Sequence, residues 1–270
     1  MKSFALKHAL ALLVALIALL AGGAFAFAHS QNGNGYGHDD HGHNNGHHGK
    51  GHGKDDHGTP NPPAPEALST WGKMPRNEFG SPIAETASTA TGVDALILET
   101  GCYKEPCTEA SSWEKAEYGS EVEFGGLKIA DIDEIGLSVY IADSTAGHSP
   151  MPNIQMEVNP KVAGKTYSSL AYNPGETTPN VFESVDATAV PSNPASEGWW
   201  FSNATVATTT GCTLASACSL AELQAAAPEA EVSFSLGLGK GRDTMGEILI
   251  DEFKLNGTRY TFGPEGTFKE

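Results

Sequence analysis

Adjacent tryptophans, Trp199 and Trp200, followed by Phe201, carry the clearest binding chemistry in this 270-residue chain. In an extended segment, neighbouring side chains point to opposite faces. One indole then fills a core while the other faces outward, where it can stack on the apolar face of a sugar ring. Sequence alone does not choose the phase, so Trp199 and Trp200 are both candidate ligand-binding residues. The competing reading is that one is core and the other is covered by the loop between Cys212 and Cys218. Tyr103, Trp113 and Tyr118 are further loop aromatics with the same two readings, and Trp71 reads as a dock for the preceding linker.

Histidine is the second chemistry. Residues 29–58 hold eight of the ten histidines. Imidazole suits Zn²⁺, Ni²⁺ and Cu²⁺, so His38, His41, His43, His47, His48, His52 and His57 form a candidate metal set, with Asp39, Asp40, Asp55 and Asp56 nearby. The plainer reading is a solvated spacer that titrates near about pH 6.5. Carboxylates at Asp131, Asp133, Glu134, Asp243, Asp251 and Glu252 offer hard oxygen ligands for a structural Ca²⁺. None sits in a D-x-[DN]-x-[DN]-G loop, and a solvated face explains each as well.

The four cysteines fall into two close pairs, Cys102 with Cys107 and Cys212 with Cys218. In an exported chain this reads as two local disulfides. Such short loops remove little unfolded-state entropy, so each bridge pins a loop more than it stabilises the fold. Zinc on four thiolates is the competing reading, disfavoured by the spacing and by the exported location.

Hydrolytic chemistry has weaker support. Two carboxylates about 5–5.5 Å apart would mark a retaining glycosidase. Glu121 and Glu123 share a face of an expected strand, but their neighbours add nothing. His148 is the lone histidine of the body, in a plain loop, and no G-x-S-x-G elbow occurs. The segment 238–242 (LGKGR) lacks phosphate-loop spacing and reads as a hairpin loop. A non-enzymatic protein is the expectation, and no catalytic residue is assigned.

The chain carries a formal net charge of −17. Such an acidic balance excludes nucleic-acid binding through phosphate neutralisation and disfavours anionic lipid surfaces. Residues 1–28 run from a basic start through an apolar stretch to Ala26 and Ala28, the layout of a secretory signal peptide cleaved before His29. An uncleaved anchor is the alternative, although the apolar run is short for a span. The expected product is secreted, with no membrane span after cleavage.

Behind the signal, residues 29–58 form a disordered His/Gly-rich tail with almost no apolar side chain. Residues 59–66 form a Pro-rich linker. Residues 67–270 form the folded domain. Alternating apolar residues predict strands over 93–99, 119–124, 134–142, 153–158, 167–172, 181–190, 231–238, 246–255 and 258–262. A phase break at Asp251 and Glu252 predicts a bulge, and Asn256-Gly257 predicts a hairpin turn. One helix is expected over 219–227, opened by the capping box Ser219/Glu222 and closed by Pro228. The fold class is therefore all-β: a jelly-roll β-sandwich with one short helix.

The order of segments 92–100 (GVDALILET), 127–140 (LKIADIDEIGLSVY), 167–174 (YSSLAYNP), 198–200 (GWW), 220–223 (LAEL), 228–230 (PEA) and 245–251 (MGEILID) resembles uncharacterised secreted bacterial β-sandwich proteins. Their shape is similar to carbohydrate-binding modules and laminin-G-like jelly rolls. The resemblance spans residues 90–263. It implies fold and location and transfers no catalytic residue.

The expectation is a secreted binding protein that recognises extracellular polysaccharide or another cell-surface polymer through an aromatic patch. One alternative is extracellular divalent-metal binding by the tail, separable by deleting residues 29–58. Another is a concanavalin-like glycoside hydrolase or lyase, which release of reducing sugar would reveal.

Overall fold

The computed structural model describes residues 66–89, 92–107, 112–141, 152–175, 178–242 and 245–270. The expected signal peptide, the His-rich tail with its seven candidate ligands, the linker up to residue 65, His148 and Asp243 lie outside these residues.

Among the described residues, thirteen strands form two antiparallel sheets. The first has six strands in the order β1 (Trp71–Lys73), β4 (Ala116–Ser120), β10 (Glu231–Lys240), β6 (Pro152–Asn159), β7 (Ser168–Pro174) and β9 (Glu197–Phe201). The second is organised around β11 (Gly246–Leu255). One edge of β11 pairs with β5 (Ile135–Ile141), which pairs in turn with β8 (Phe182–Asp186). Its other edge is shared. The first half pairs with β3 (Asp94–Thr100), and β3 with β2 (Ile83–Ser88). The second half pairs with β12 (Thr258–Gly263), and β12 with β13 (Gly266–Lys269).

The expected bulge is present. Ile250 faces Val139 and Glu252 faces Ser138, leaving Asp251 as the extra residue. An inserted residue shifts the period-two phase. Ile248 and Ile250 therefore point inward before it, and Phe253 and Leu255 after it. The expected turn is also present: Asn256 and Gly257 both have positive φ, and Leu255 faces Thr258.

The core lies between the sheets. Ile154, Met156, Val158, Leu236 and Leu238 come from the first, and Leu96, Leu98, Val139, Ile250 and Phe253 from the second. Trp71 belongs to this core: its ring lies within 6.4 Å, centroid to centroid, of Tyr118, Phe124, Phe253, Tyr260 and Phe262. Its indole N–H donates to Glu123 Oε2 at 2.6 Å. Tyr118 is likewise a core residue of β4.

Among the described residues two α-helices occur where one was expected. α1 (Ala204–Thr210) was hidden because its β-branched threonines and valine favour strands. Tertiary context overrides that preference. Asn203 Oδ1 accepts the Thr205 and Val206 N–H groups, Gly211 closes the helix in the left-handed region, and Val206 and Ala207 are buried. α2 (Leu220–Ala226) carries the expected capping box, with Leu220 and Leu223 buried. No helix of the described residues is long and apolar enough to cross a membrane.

Truncating Trp71→Ala removes the ring that joins both sheets. Urea denaturation is expected to show a loss of about 3–5 kcal/mol. Val190→Ser, at an 81% exposed position, should change stability by less than about 0.5 kcal/mol. A Trp71→Ala loss no larger than that of Val190→Ser would contradict this core.

Candidate functional site on the outer face of the six-stranded sheet

Strand periodicity resolves the tryptophan phase. Trp199 is 1% exposed and sits in the core, its N–H donating to Ala187 O at 2.8 Å and its ring 5.2 Å from that of Tyr172. It is therefore no ligand contact, which corrects the expectation that named both residues. Trp200 takes the opposite face. It is half-buried and lines a cavity of about 300 Å³ with Asn153, Asn173, Ser196, Leu214 and Arg242.

Both disulfides form as expected, Cys102–Cys107 and Cys212–Cys218. The second bridge holds its loop along β9, where Trp199 and Cys218 exchange backbone hydrogen bonds of 2.8 and 2.9 Å. Leu214 of this loop reaches the cavity. The loop thus covers Trp199 and leaves Trp200 on a concave surface. The first bridge shapes the loop that carries Tyr103, whose exposed ring lies 4.4 Å from that of Phe79. Trp113 is tied down instead, donating to Cys107 O at 3.3 Å. Glu105 lies beside Cys102 and Cys107. The two sulfurs are bonded to each other and offer no thiolate to a metal.

The remaining outer face is polar. Asn153, Gln155 and Glu157 of β6 and Glu117 of β4 point there, across the glycines of β10. At Gly239 an added Cβ would lie 2.7 Å from Asn153 Oδ1, and at Gly237 3.1 Å from Met74 Sδ. Side chains on β10 would fill this surface, so the glycines make room for those of the flanking strands.

A hydrogen-bonded seam runs across the face. Gln155 Nε2 donates to Asn153 Oδ1 at 2.7 Å, and Lys115 Nζ donates to Gln155 Oε1 at 2.9 Å and Glu117 Oε2 at 3.0 Å. Asn77 Nδ2 donates to Glu117 Oε1 at 3.0 Å and Glu157 Oε2 at 3.4 Å. Arg76, Ser235 and Tyr167 complete the partners of Glu157. Burial pushes the Glu117 carboxyl up from its ordinary value, against Lys115 and Asn77, which favour the charged form. Burial acts in the same direction on Glu157, but the hydrogen bonds from Arg76, Ser235 and Tyr167 together outweigh it and hold the carboxyl low.

Two carboxylates with opposed shifts have the form of an acid and a base. Here they are sealed. Glu117 has no exposed surface and Glu157 only 6%. Met74 and the short turn Pro75–Asn77 lie over them, with the Met74 N–H bonded to Glu117 O at 3.0 Å. The pair anchors that turn. The residues inspected for this chemistry in the sequence behave otherwise. The expected strand over 119–124 ends at Ser120, so Glu121 and Glu123 lie in a turn. Glu121 pairs with Arg76, and Glu123 accepts from Trp71, Tyr260 and Lys269.

Of the other candidate acids, Glu134 and Glu252 have carboxylate partners, and Asp131 and Asp133 are held through their backbone. Asn256 Oδ1 accepts the Asp133 N–H at 2.8 Å, its Nδ2 donates to Asp131 O at 2.8 Å, and Glu134 Oε2 accepts the Gly257 N–H at 3.0 Å. Glu252 pairs with Lys254 and Arg259. Residues 238–242 form no hairpin: β10 continues to Lys240, and the chain then crosses from one sheet to the other. That crossover places Arg242 beside Trp200, a juxtaposition with no local sequence signal.

No family model matches the chain, and neither does any curated protein or solved structure.

Glu157→Gln is expected to cost about 1–3 kcal/mol at pH 7, the range for hydrogen bonds to a charged group. Because folding lowers the pKa of Glu157, its contribution is present above the ordinary glutamate value of 4.5 and fades as pH falls through the lower folded value. Denaturation curves of variant and parent should therefore converge as pH falls from 4.5 through the lower folded value. A gap that widens over that range would reverse the assigned sign.

Proposed function

We propose that this chain is a secreted glycan-binding protein that uses the outer face of its six-stranded sheet, with Trp200 as the stacking platform. The observation that carries the reading is the split of the tryptophan pair: Trp199 is locked in the core, and Trp200 borders a cavity rimmed by amides. Asn153 and Asn173 supply donors and acceptors suited to sugar hydroxyls, and the Asn173 amide has no hydrogen-bond partner among the described residues. The Trp200 N–H is likewise without one. A flat indole beside a few convergent polar groups is the general form of a small-ligand site.

Two other cavities have their polar groups already engaged. Near Glu123, about 400 Å³, the carboxylate is held by Trp71, Tyr260 and Lys269. Near Glu252, about 250 Å³, the charges pair among themselves, and Asp186 accepts from Thr188. The two disulfides suit an oxidising compartment, in keeping with the signal-like start of the chain. The jelly-roll wiring and the likeness to carbohydrate-binding modules belong to the same reading. Metal capture by the His-rich tail is a separable second activity.

Affinity electrophoresis against a panel of soluble polysaccharides tests the reading. At least one polymer should retard the chain, and Trp200→Ala should weaken that binding by about 2 kcal/mol, roughly thirtyfold in Kd. Tyr103→Ala should have a smaller effect. Retardation unchanged in Trp200→Ala, or absent across the panel, contradicts the proposal.

A further inference from the structure

The chain has three arginines, at positions 76, 242 and 259. Arg76 pairs with Glu121 and Glu157, and Arg259 with Glu252 and Glu270. Arg242 pairs with no carboxylate among the described residues, although the chain holds 33 acids. It lies instead over the Phe79 ring, its guanidinium carbon 3.6 Å from the centroid. Phe79 is backed by Tyr103.

This arrangement is pre-organised for an anion. A guanidinium stacked on an aromatic ring is held in position while its N–H groups still radiate in its own plane. That fork matches a carboxylate through two parallel hydrogen bonds. Arg242 borders the same cavity as Trp200, Asn153 and Asn173. One wall therefore offers a ring platform, another offers amides, and a third offers a cation with no carboxylate partner among the described residues.

From this geometry we infer that the ligand is an acidic sugar, a uronic-acid unit of a polysaccharide. Its ring stacks on Trp200, its hydroxyls meet Asn153 and Asn173, and its carboxylate docks on Arg242. The inference rests on the glycan-binding reading and narrows it. An anionic ligand is repelled by a chain of net charge −17. Recognition therefore depends on a local fork, not on the field of the whole protein, and loss of this one residue should be decisive. A sulfated sugar shares part of the chemistry and serves as a comparison.

The test uses the full chain and two forms of one polymer, polygalacturonate and its fully methyl-esterified derivative, with dextran and dextran sulfate alongside. Esterification removes the charge and leaves the sugar rings in place. Isothermal titration should show polygalacturonate bound at least about tenfold more tightly than the ester. Arg242→Gln should erase that difference by weakening polygalacturonate binding at least about tenfold. Arg242→Lys, which keeps the charge but loses the fork, should recover only part of it. Equal binding of both polymers by the parent chain overturns the acidic-sugar inference and leaves glycan binding standing. Binding of dextran sulfate but not polygalacturonate also overturns it. Failure to bind any of the four overturns the acidic-sugar inference, and glycan binding itself is then judged on the wider polysaccharide panel.

Discussion

The burial of Trp199 sets the orientation of everything on the face of the sheet that bears the site. Its indole fills the core, reaches Ala187 O with its N–H and packs against Tyr172. A buried tryptophan of this size, with its polar atom satisfied, admits no easy alternative register. A slip of one residue would exchange Trp199 for Trp200 and turn every side chain of β9 over. The next residue is therefore compelled outward. The loop closed by Cys212 and Cys218 strengthens the same choice by pairing with the Trp199 backbone.

The outer face then divides into a closed part and an open part. Over Gly237 the turn after β1 settles onto Glu117 and Glu157, and the charges there are satisfied within the protein. Buried charges are retained only where hydrogen bonds offset their desolvation. That condition is met at Glu157 by four different donors. Toward β9 nothing comparable among the described residues covers the sheet. The polar seam ends at Asn153, and beyond it Asn173, Trp200 and Arg242 border a hollow instead of one another's hydrogen bonds. Stability is concentrated at one end and unused recognition chemistry at the other.

Local features were legible in the sequence to the extent that they were local. The alternation along β5 and β6, the bulge at Asp251, the turn at Asn256-Gly257, the capping box at Ser219 and both cysteine pairings each follow from residues within a few positions. The short strands β1 and β13 gave too little pattern to be seen, and β2 buries only the small Ala84 fully, so it shows no apolar alternation. α1 was hidden because its threonines argue for a strand, and only Asn203 before it and Gly211 after it hint otherwise. The Trp-Trp pair marked a strand but not its phase, which depends on the partner elements. Arg242 was invisible as a site residue. Its role comes from a sheet-to-sheet crossover that brings it to Phe79 and Trp200, far away in sequence. The Glu117–Glu157 pair was missed for the same reason, since Asn77 joins them from a third segment.

The most direct measurement is the response of the four tryptophan indole N–H signals in a ¹⁵N-correlated NMR spectrum to a titration with an oligogalacturonide. Four signals are expected, from Trp71, Trp113, Trp199 and Trp200, with Trp200→Phe identifying one of them. Trp71 and Trp199 are committed to Glu123 and Ala187 O, and Trp113 to Cys107 O. The predicted result is a saturable shift of the Trp200 signal with the other three nearly still. A saturable shift centred on Trp113 or Trp71, or a spectrum in which no indole signal moves, would contradict the assignment of this face as the binding site.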